Sequence, residues 1–185
     1  MNLSKLKILN KIILSIACLA FGFNLFSCNT EDSAKTRQQQ DPEKIKESLI
    51  KANKAFVEAE NEAINDYITR HHLNLNKSKS GLRYEIESSG TGNLIRPGQS
   101  VELKYNMFLL DGTFCYSSDS TGTMKFKVEQ SDAVNGMHEA VQLMRTGDKA
   151  ILILPAHLAY GLTGDNDKIP PASALVLNVQ LIKAM

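Results

Sequence analysis

Along the last hundred or so residues, apolar side chains recur at every second position. Leu82, Tyr84 and Ile86 alternate with Arg83, Glu85 and Glu87, and Val101, Leu103, Tyr105, Met107 and Leu109 alternate with Glu102, Lys104 and Asn106. The same rhythm returns in Met124, Phe126 and Val128 and again in Leu175, Leu177, Val179 and Leu181, with Lys125, Lys127, Asn178 and Gln180 in the gaps. Successive strand residues point to opposite faces, so the pattern predicts half-buried strands with one wet face, hence an antiparallel sheet. Met137, Ala140, Val141 and Met144 interrupt it at helical spacing, with Gly147 as a natural C-terminal stop. A sheet covered on one face by one short helix is an α+β layer fold.

Upstream the period changes. Ile45, Leu49, Ala52, Phe56, Ala59, Ala63 and Tyr67 are spaced by three and four, which predicts a separate amphipathic helix over 41–71. Asp41-Pro42-Glu43 opens it with a side-chain acceptor, a proline whose missing N–H is harmless there, and an acid near the positive end of the dipole. The stripe needs a cover: the following domain, a second copy or an envelope partner. Its alanines argue for docking or weak homodimerisation rather than a strong zipper. Asn74 to Gly81 is a polar linker, so the helix and linker occupy 41–76 and the β-rich domain occupies 80–185.

Residues 28–40 carry no apolar side chain larger than alanine after Cys28, and read as a flexible tether. The first 27 residues contain Lys5, Lys7 and Lys11, no acid, and an apolar run from Ile12 to Phe26. That run falls short of the ~20 residues needed to span a hydrocarbon core. It predicts a cleaved secretory signal over 1–27. Leu25-Phe26-Ser27-Cys28 resembles a bacterial lipobox, which makes Cys28 a lipidation site and the lipid a membrane anchor; Cys18 is a rival with too short an apolar run before it. Asn29-Thr30-Glu31-Asp32 resembles the export tag of Bacteroidetes lipoproteins, which places the protein on the outer membrane with the periplasmic or surface face open.

Charge and chemistry narrow the choice of function. Of 21 basic residues the signal removes three, leaving the 20 acidic ones in slight excess, so no basic surface invites nucleic acid. The chain has no Gly-rich phosphate loop, no His-Glu-x-x-His, no Gly-x-Ser-x-Gly and no Cys-x-x-Cys. His71, His72, His138 and His157 form no ligand spacing with Cys115, so no metal or cofactor is implied. Cys115, within Asp111-Gly-Thr-Phe-Cys-Tyr-Ser-Ser118, has no basic cluster near it in sequence, and buried packing is favoured over a reactive thiolate. What remains is a set of apolar side chains around loops, among them Tyr105, Met124, Met137, Tyr160, Ile169 and Leu177.

Val101-Glu-Leu-Lys-Tyr105, Asp111-Gly-Thr, Val134-x-Gly136, Gly147-Asp-Lys-Ala150, Ala159-Tyr160-Gly161 and Ile169-Pro170-Pro171 follow one another in an order that closely resembles the FKBP-type peptidyl-prolyl cis-trans isomerases. With the lipobox and helical leader, the chain resembles the FKBP lipoproteins of Bacteroidetes, including those associated with gliding motility. The resemblance implies an FKBP-like half-barrel wrapped on one short helix, acting on proline-containing clients in the cell envelope. It implies that the Tyr160 hydroxyl donates to the substrate carbonyl, that the N–H of Val134 pairs with the peptide, and that Tyr105 and Ile169 line the proline site. Five positions depart from the family: Cys115 and Leu177 stand where phenylalanine is usual, Tyr116 where aspartate is, Met124 where phenylalanine is common, and Met137 at the tryptophan floor. These departures predict a wider, softer pocket with reduced activity, and predict that Phe at 115 with Asp at 116 would raise it.

Overall fold

The computed structural model describes residues 41–185 except Ser89 and Asp132. The signal over 1–27, the tether over 28–40 and the lipidation site Cys28 therefore lie outside the described residues. The chain divides into two compact units, 1–48 and 49–185; in the first, residues 41–48 are all exposed.

Helix α1 (Pro42–Arg70) is opened by Asp41, whose Oδ1 accepts the N–H of Glu43 at 3.1 Å. It ends at His72, whose φ of 52° turns the chain so that the N–H of Leu73 closes on the Ile68 carbonyl at 3.0 Å. Strands β1 (Asn76–Lys77), β2 (Arg83–Glu87), β3 (Ser100–Leu109), β4 (Phe114–Ser117), β5 (Met124–Lys127), β6 (Lys149–Leu154) and β7 (Leu175–Ala184) form one antiparallel sheet. Its order is β1-β2-β6-β7-β3-β4, and β5 pairs with the first half of β3. A short helical turn, α2 (Ser118–Thr121), follows β4; α3 (Asn135–Gln142) follows β5; and a 3₁₀ turn (Ala156–Leu158) follows β6.

The alternation reads the faces correctly. Leu82, Leu103, Met107, Phe126, Leu177, Val179 and Leu181 share one buried cluster with Met137, Ala140, Val141 and Met144 of the α3 region. Two boundaries move. The sheet begins before Ser80, because Asn76 and Lys77 pair with Tyr84 and Arg83. Helix α3 stops at Gln142, and Leu143 and Met144 continue in tighter turns whose N–H groups reach the Ala140 and Val141 carbonyls at 3.0 Å. Gly147 belongs to the turn into β6, with its N–H on the Leu181 carbonyl at 2.8 Å, and is not the helix stop.

The opposite face of the sheet is partly covered as well. Ile64 is fully buried against Ile153, Ala174 and Val176, with Tyr67, Ile68 and Phe108 packed around them. Asn61 accepts a hydrogen bond from Arg83 at 3.0 Å, and Glu60 accepts the N–H of Ala156 at 2.7 Å. The docking face takes Tyr67 from the predicted stripe but leaves most of it outside: Leu49 is 61% exposed, and Ala52, Ala59 and Ala63 are exposed too. Ile64 lies one residue, about 100°, round the helix from Ala63. Ile64→Ala is expected to cost about 2–4 kcal/mol, the range for emptying a buried aliphatic site. Leu49→Ala should stay within about 0.5 kcal/mol of wild type as a surface change. Urea unfolding of the two variants checks the assignment.

Candidate functional site

One face of the sheet and α3 enclose the domain's apolar core, and the nine residues expected to form a bowl for the substrate are members of that core or pack against it. Cys115, Met137, Ile169 and Leu177 are buried members; Tyr105, Tyr116, Met124, Val134 and Tyr160 are partly buried and packed against it. Each arrives by a simple route. Tyr105 and Leu177 are inward positions of the paired strands β3 and β7, Cys115 and Tyr116 come from β4, and Met124 opens β5. Met137 sits on the first turn of α3, and Tyr160 and Ile169 flank the loop between the 3₁₀ turn and β7.

Gly136 lets α3 come this close. An ideal Cβ there would lie 2.6 Å from a Leu154 methyl and 3.0 Å from the Leu158 carbonyl oxygen, so a side chain would require Leu154 to move and the Leu158 carbonyl to give way slightly.

Two groups bordering the bowl hold free hydrogen-bonding capacity. Among the described residues the Tyr160 hydroxyl has no hydrogen-bond partner, and neither has the N–H of Val134. Val134 is the N-cap of α3, with φ −64° and ψ 144°, and its carbonyl is already used by the N–H groups of Met137 and His138. Burial, then the Asp165 carboxylate and the neighbouring Tyr105 and Cys115, push the Tyr160 hydroxyl above the ordinary tyrosine range, so it remains a proton donor at neutral pH.

The other polar groups are engaged. The Tyr105 hydroxyl lies 2.7 Å from Thr121 Oγ1, and since Thr121 donates its own proton to the Ser117 carbonyl at 2.9 Å, Tyr105 is the donor of that pair. Cys115 is fully buried and its thiol is pushed up first by burial and then by the Asp165 carboxylate, so it is a packed wall and not a thiolate. Tyr116 is engaged through its hydroxyl, which donates to Asp165 Oδ2 at 2.5 Å and to Asp167 Oδ2 at 3.0 Å. Lys168 Nζ donates to the Cys115 carbonyl at 3.0 Å and sits 5.0 Å from the Tyr116 ring centre. Asp165, Asp167, Lys168 and Thr121 were not foreseen, because the only signal in the sequence is a run of turn formers with nothing to name their partners.

The half-buried Tyr105, Met124 and Tyr160 pack on the buried Met137, Ile169 and Leu177, and together with the two unpaired donors they offer a peptide segment both apolar contact and backbone hydrogen bonds. Among the described residues the cluster holds no nucleophile paired with a base.

The family profile of FKBP-type peptidyl-prolyl cis-trans isomerases matches residues 92–182. The chain is similar to the outer membrane protein MIP of Legionella longbeachae, 38% identical over 120 residues that cover 60% of this chain and 50% of that one. It is similar to FK506-binding protein 1B of Aspergillus fumigatus, 36% identical over 112 residues that cover 56% of this chain and 93% of the relative. The crystal structure of a peptidyl-prolyl cis-trans isomerase from Pseudomonas syringae superposes with a TM-score of 0.59 at 27% identity, covering 71% of this chain and 94% of that one. The chain spans about half the length of the bacterial curated relatives it matches.

Proposed function

The chain belongs to the FKBP-type peptidyl-prolyl cis-trans isomerase family, and from that premise we propose that its bowl accelerates the cis-trans exchange of X-Pro bonds in unfolded or extended proteins of the cell envelope. The barrier to that exchange is amide resonance, ~18–20 kcal/mol. It falls when the twisted amide, with its pyramidal nitrogen and ketone-like carbonyl, is bound better than the planar one. Removing water from the carbonyl destabilises the charge-separated planar form, and fixed donors at the rim favour the twisted geometry.

The observation that carries this reading is the pair of unpartnered donors, Tyr160 Oη and the N–H of Val134, beside a bowl built of Tyr105, Met137, Ile169 and Leu177. In the proposal the proline ring packs among the half-exposed Tyr105, Met124 and Tyr160, with Met137, Leu177 and Ile169 buried in the same cluster, Tyr160 donates to the substrate carbonyl, and Val134 pairs with the peptide on the other side. Cys115, Met124, Met137 and Leu177 keep the floor apolar with smaller or more flexible side chains than aromatic rings, which supports activity below that of aromatic-floored members.

Envelope placement rests on the basic and apolar leader, and the anchor on a lipid at Cys28. The Ile45, Leu49 and Phe56 side of α1, left largely exposed, supports weak homodimerisation or docking to a partner. A second reading, a peptide-binding chaperone or structural lipoprotein with negligible catalysis, draws on the same non-aromatic floor.

Tyr160→Phe removes one hydroxyl and no apolar wall. A net hydrogen bond of about 1 kcal/mol corresponds to roughly a five-fold loss of kcat/KM for a proline peptide. An unchanged kcat/KM would remove Tyr160 from the mechanism.

A further inference from the structure

The loop from Gly161 to Pro170 carries one wall of the bowl, Ile169, and follows directly on Tyr160. It folds on itself through Asp165, whose Oδ1 accepts the N–H of Asp167 at 2.9 Å and of Ile169 at 2.8 Å while its own N–H donates to the Ile169 carbonyl at 3.1 Å. Gly164, at φ 68°, has no room for a side chain, since an ideal Cβ would lie 2.2 Å from the Ile169 carbonyl oxygen.

Nothing in that internal folding ties the loop to the sheet. The ties come from β4: the Tyr116 hydroxyl is shared between Asp165 and Asp167, and Lys168 returns to the Cys115 carbonyl. We propose that Tyr116 is a positioning residue, and that with Asp165, Asp167 and Lys168 it forms a latch that holds the Gly161 to Pro170 loop against β4 and so fixes Ile169 and Tyr160 at the bowl. The inference rests on the reading of the bowl as the proline site. Tyr116, where the family pattern has an aspartate, acts here through the loop and not on the peptide.

Three features support a latch over an incidental contact. The phenol reaches two carboxylates through one proton, and the charge-assisted bond to Asp165 is the shorter and stronger kind. The ammonium of Lys168 offsets the two carboxylates and lies near the Tyr116 ring, so charge and apolar contact close the same junction. Burial opposes ionisation of Asp165, yet the Tyr116 hydroxyl and the two loop N–H groups prevail and hold its carboxyl below the ordinary aspartate range. A depressed aspartate contributes its stability above the ordinary aspartate pKa and loses it as pH falls through the depressed one, so the latch stays closed through neutral and mildly acidic pH.

The test uses the full chain with Tyr116→Phe, which keeps the ring and removes only the hydroxyl, together with Asp165→Ala and Asp165→Asn. Amide hydrogen exchange at Asp167 and Ile169 should become about ten-fold faster in Tyr116→Phe. The Ile169 methyl resonances should shift, and kcat for a proline peptide should fall about three-fold with KM little changed. Asp165→Ala should reproduce these effects, and Asp165→Asn, which keeps Oδ1 for the loop N–H groups but replaces the Tyr116 acceptor Oδ2 with an N–H donor, should match Tyr116→Phe. Unchanged exchange at Asp167 and Ile169 in Tyr116→Phe would overturn the latch. Faster exchange with unmoved Ile169 methyls would overturn the positioning role. A wild-type chain without isomerase activity would sink the proposed function alone, since exchange and methyl shifts still decide the latch.

Discussion

Installing the pair that the family usually carries, Cys115→Phe with Tyr116→Asp, is expected to destabilise the domain by about 3 kcal/mol or more and to lower isomerase activity. The sequence pattern alone suggests the opposite, since it presents Cys115 and Tyr116 as losses to be repaired. In the folded chain Cys115 is fully buried, so a phenyl ring has to displace its neighbours, and overpacking of a filled site costs about 1–3 kcal/mol. Aspartate at 116 removes the donor shared by Asp165 and Asp167 and sets a third carboxylate beside them, with Lys168 the nearby cation. Urea unfolding and peptide turnover of the two single variants and the double variant measure the effect. A double variant as stable as wild type and faster in turnover would show that β4 has been read wrongly.

Asp148→Ala should cost about 3 kcal/mol, the largest loss expected from any single polar change. Asp148 is 1% exposed, and its two carboxylate oxygens accept the N–H groups of Gly90 and Arg145, each at 2.7 Å. These bonds pin the segment before β3 to the turn that carries the chain from α3 into β6, where Thr91 and Thr146 also meet in an isolated bridge. Truncation leaves two N–H donors facing an apolar methyl, and each unsatisfied buried donor costs about 1–3 kcal/mol. The turn supports the C-terminal end of α3, so the Met137 floor loosens with it. A urea midpoint shifted by less than the equivalent of 1 kcal/mol would mean that water reaches the vacated site.

How much of this was legible depended on whether one face of an element stayed wet. Strands β2, β3, β5 and β7 announced themselves by alternation because their outward residues are polar. Strand β6, Lys149-Ala-Ile-Leu-Ile-Leu154, did not: Leu152 and Leu154 face the bowl side while Ile153 faces Ile64 of α1, so both faces are apolar and the period-two signal vanishes. The docking face of α1 was hidden for a related reason. The three- and four-residue spacing drew the stripe through Ala52, Ala59 and Ala63 to Tyr67, whereas the contact is made by Ile64, Tyr67 and Ile68 and anchored by Asn61 and Glu60, whose partners Arg83 and Ala156 are far along the chain.

The site divides the same way. Its apolar members were named by motif, and all nine belong to or pack on the hydrophobic core of the domain. The bonds of Tyr116 span 49 and 51 residues to a loop with no periodic pattern, and no local reading can pair them.

The bowl is expected to lower the barrier to rotation about an X-Pro bond. Exchange spectroscopy on a short proline peptide, with the full chain present in substoichiometric amount, measures that rate without a coupled protease. The account predicts cis-trans exchange well above the buffer rate, proportional to protein concentration and reduced in Tyr160→Phe. Exchange equal to that in buffer, and indifferent to Tyr160→Phe, would contradict it.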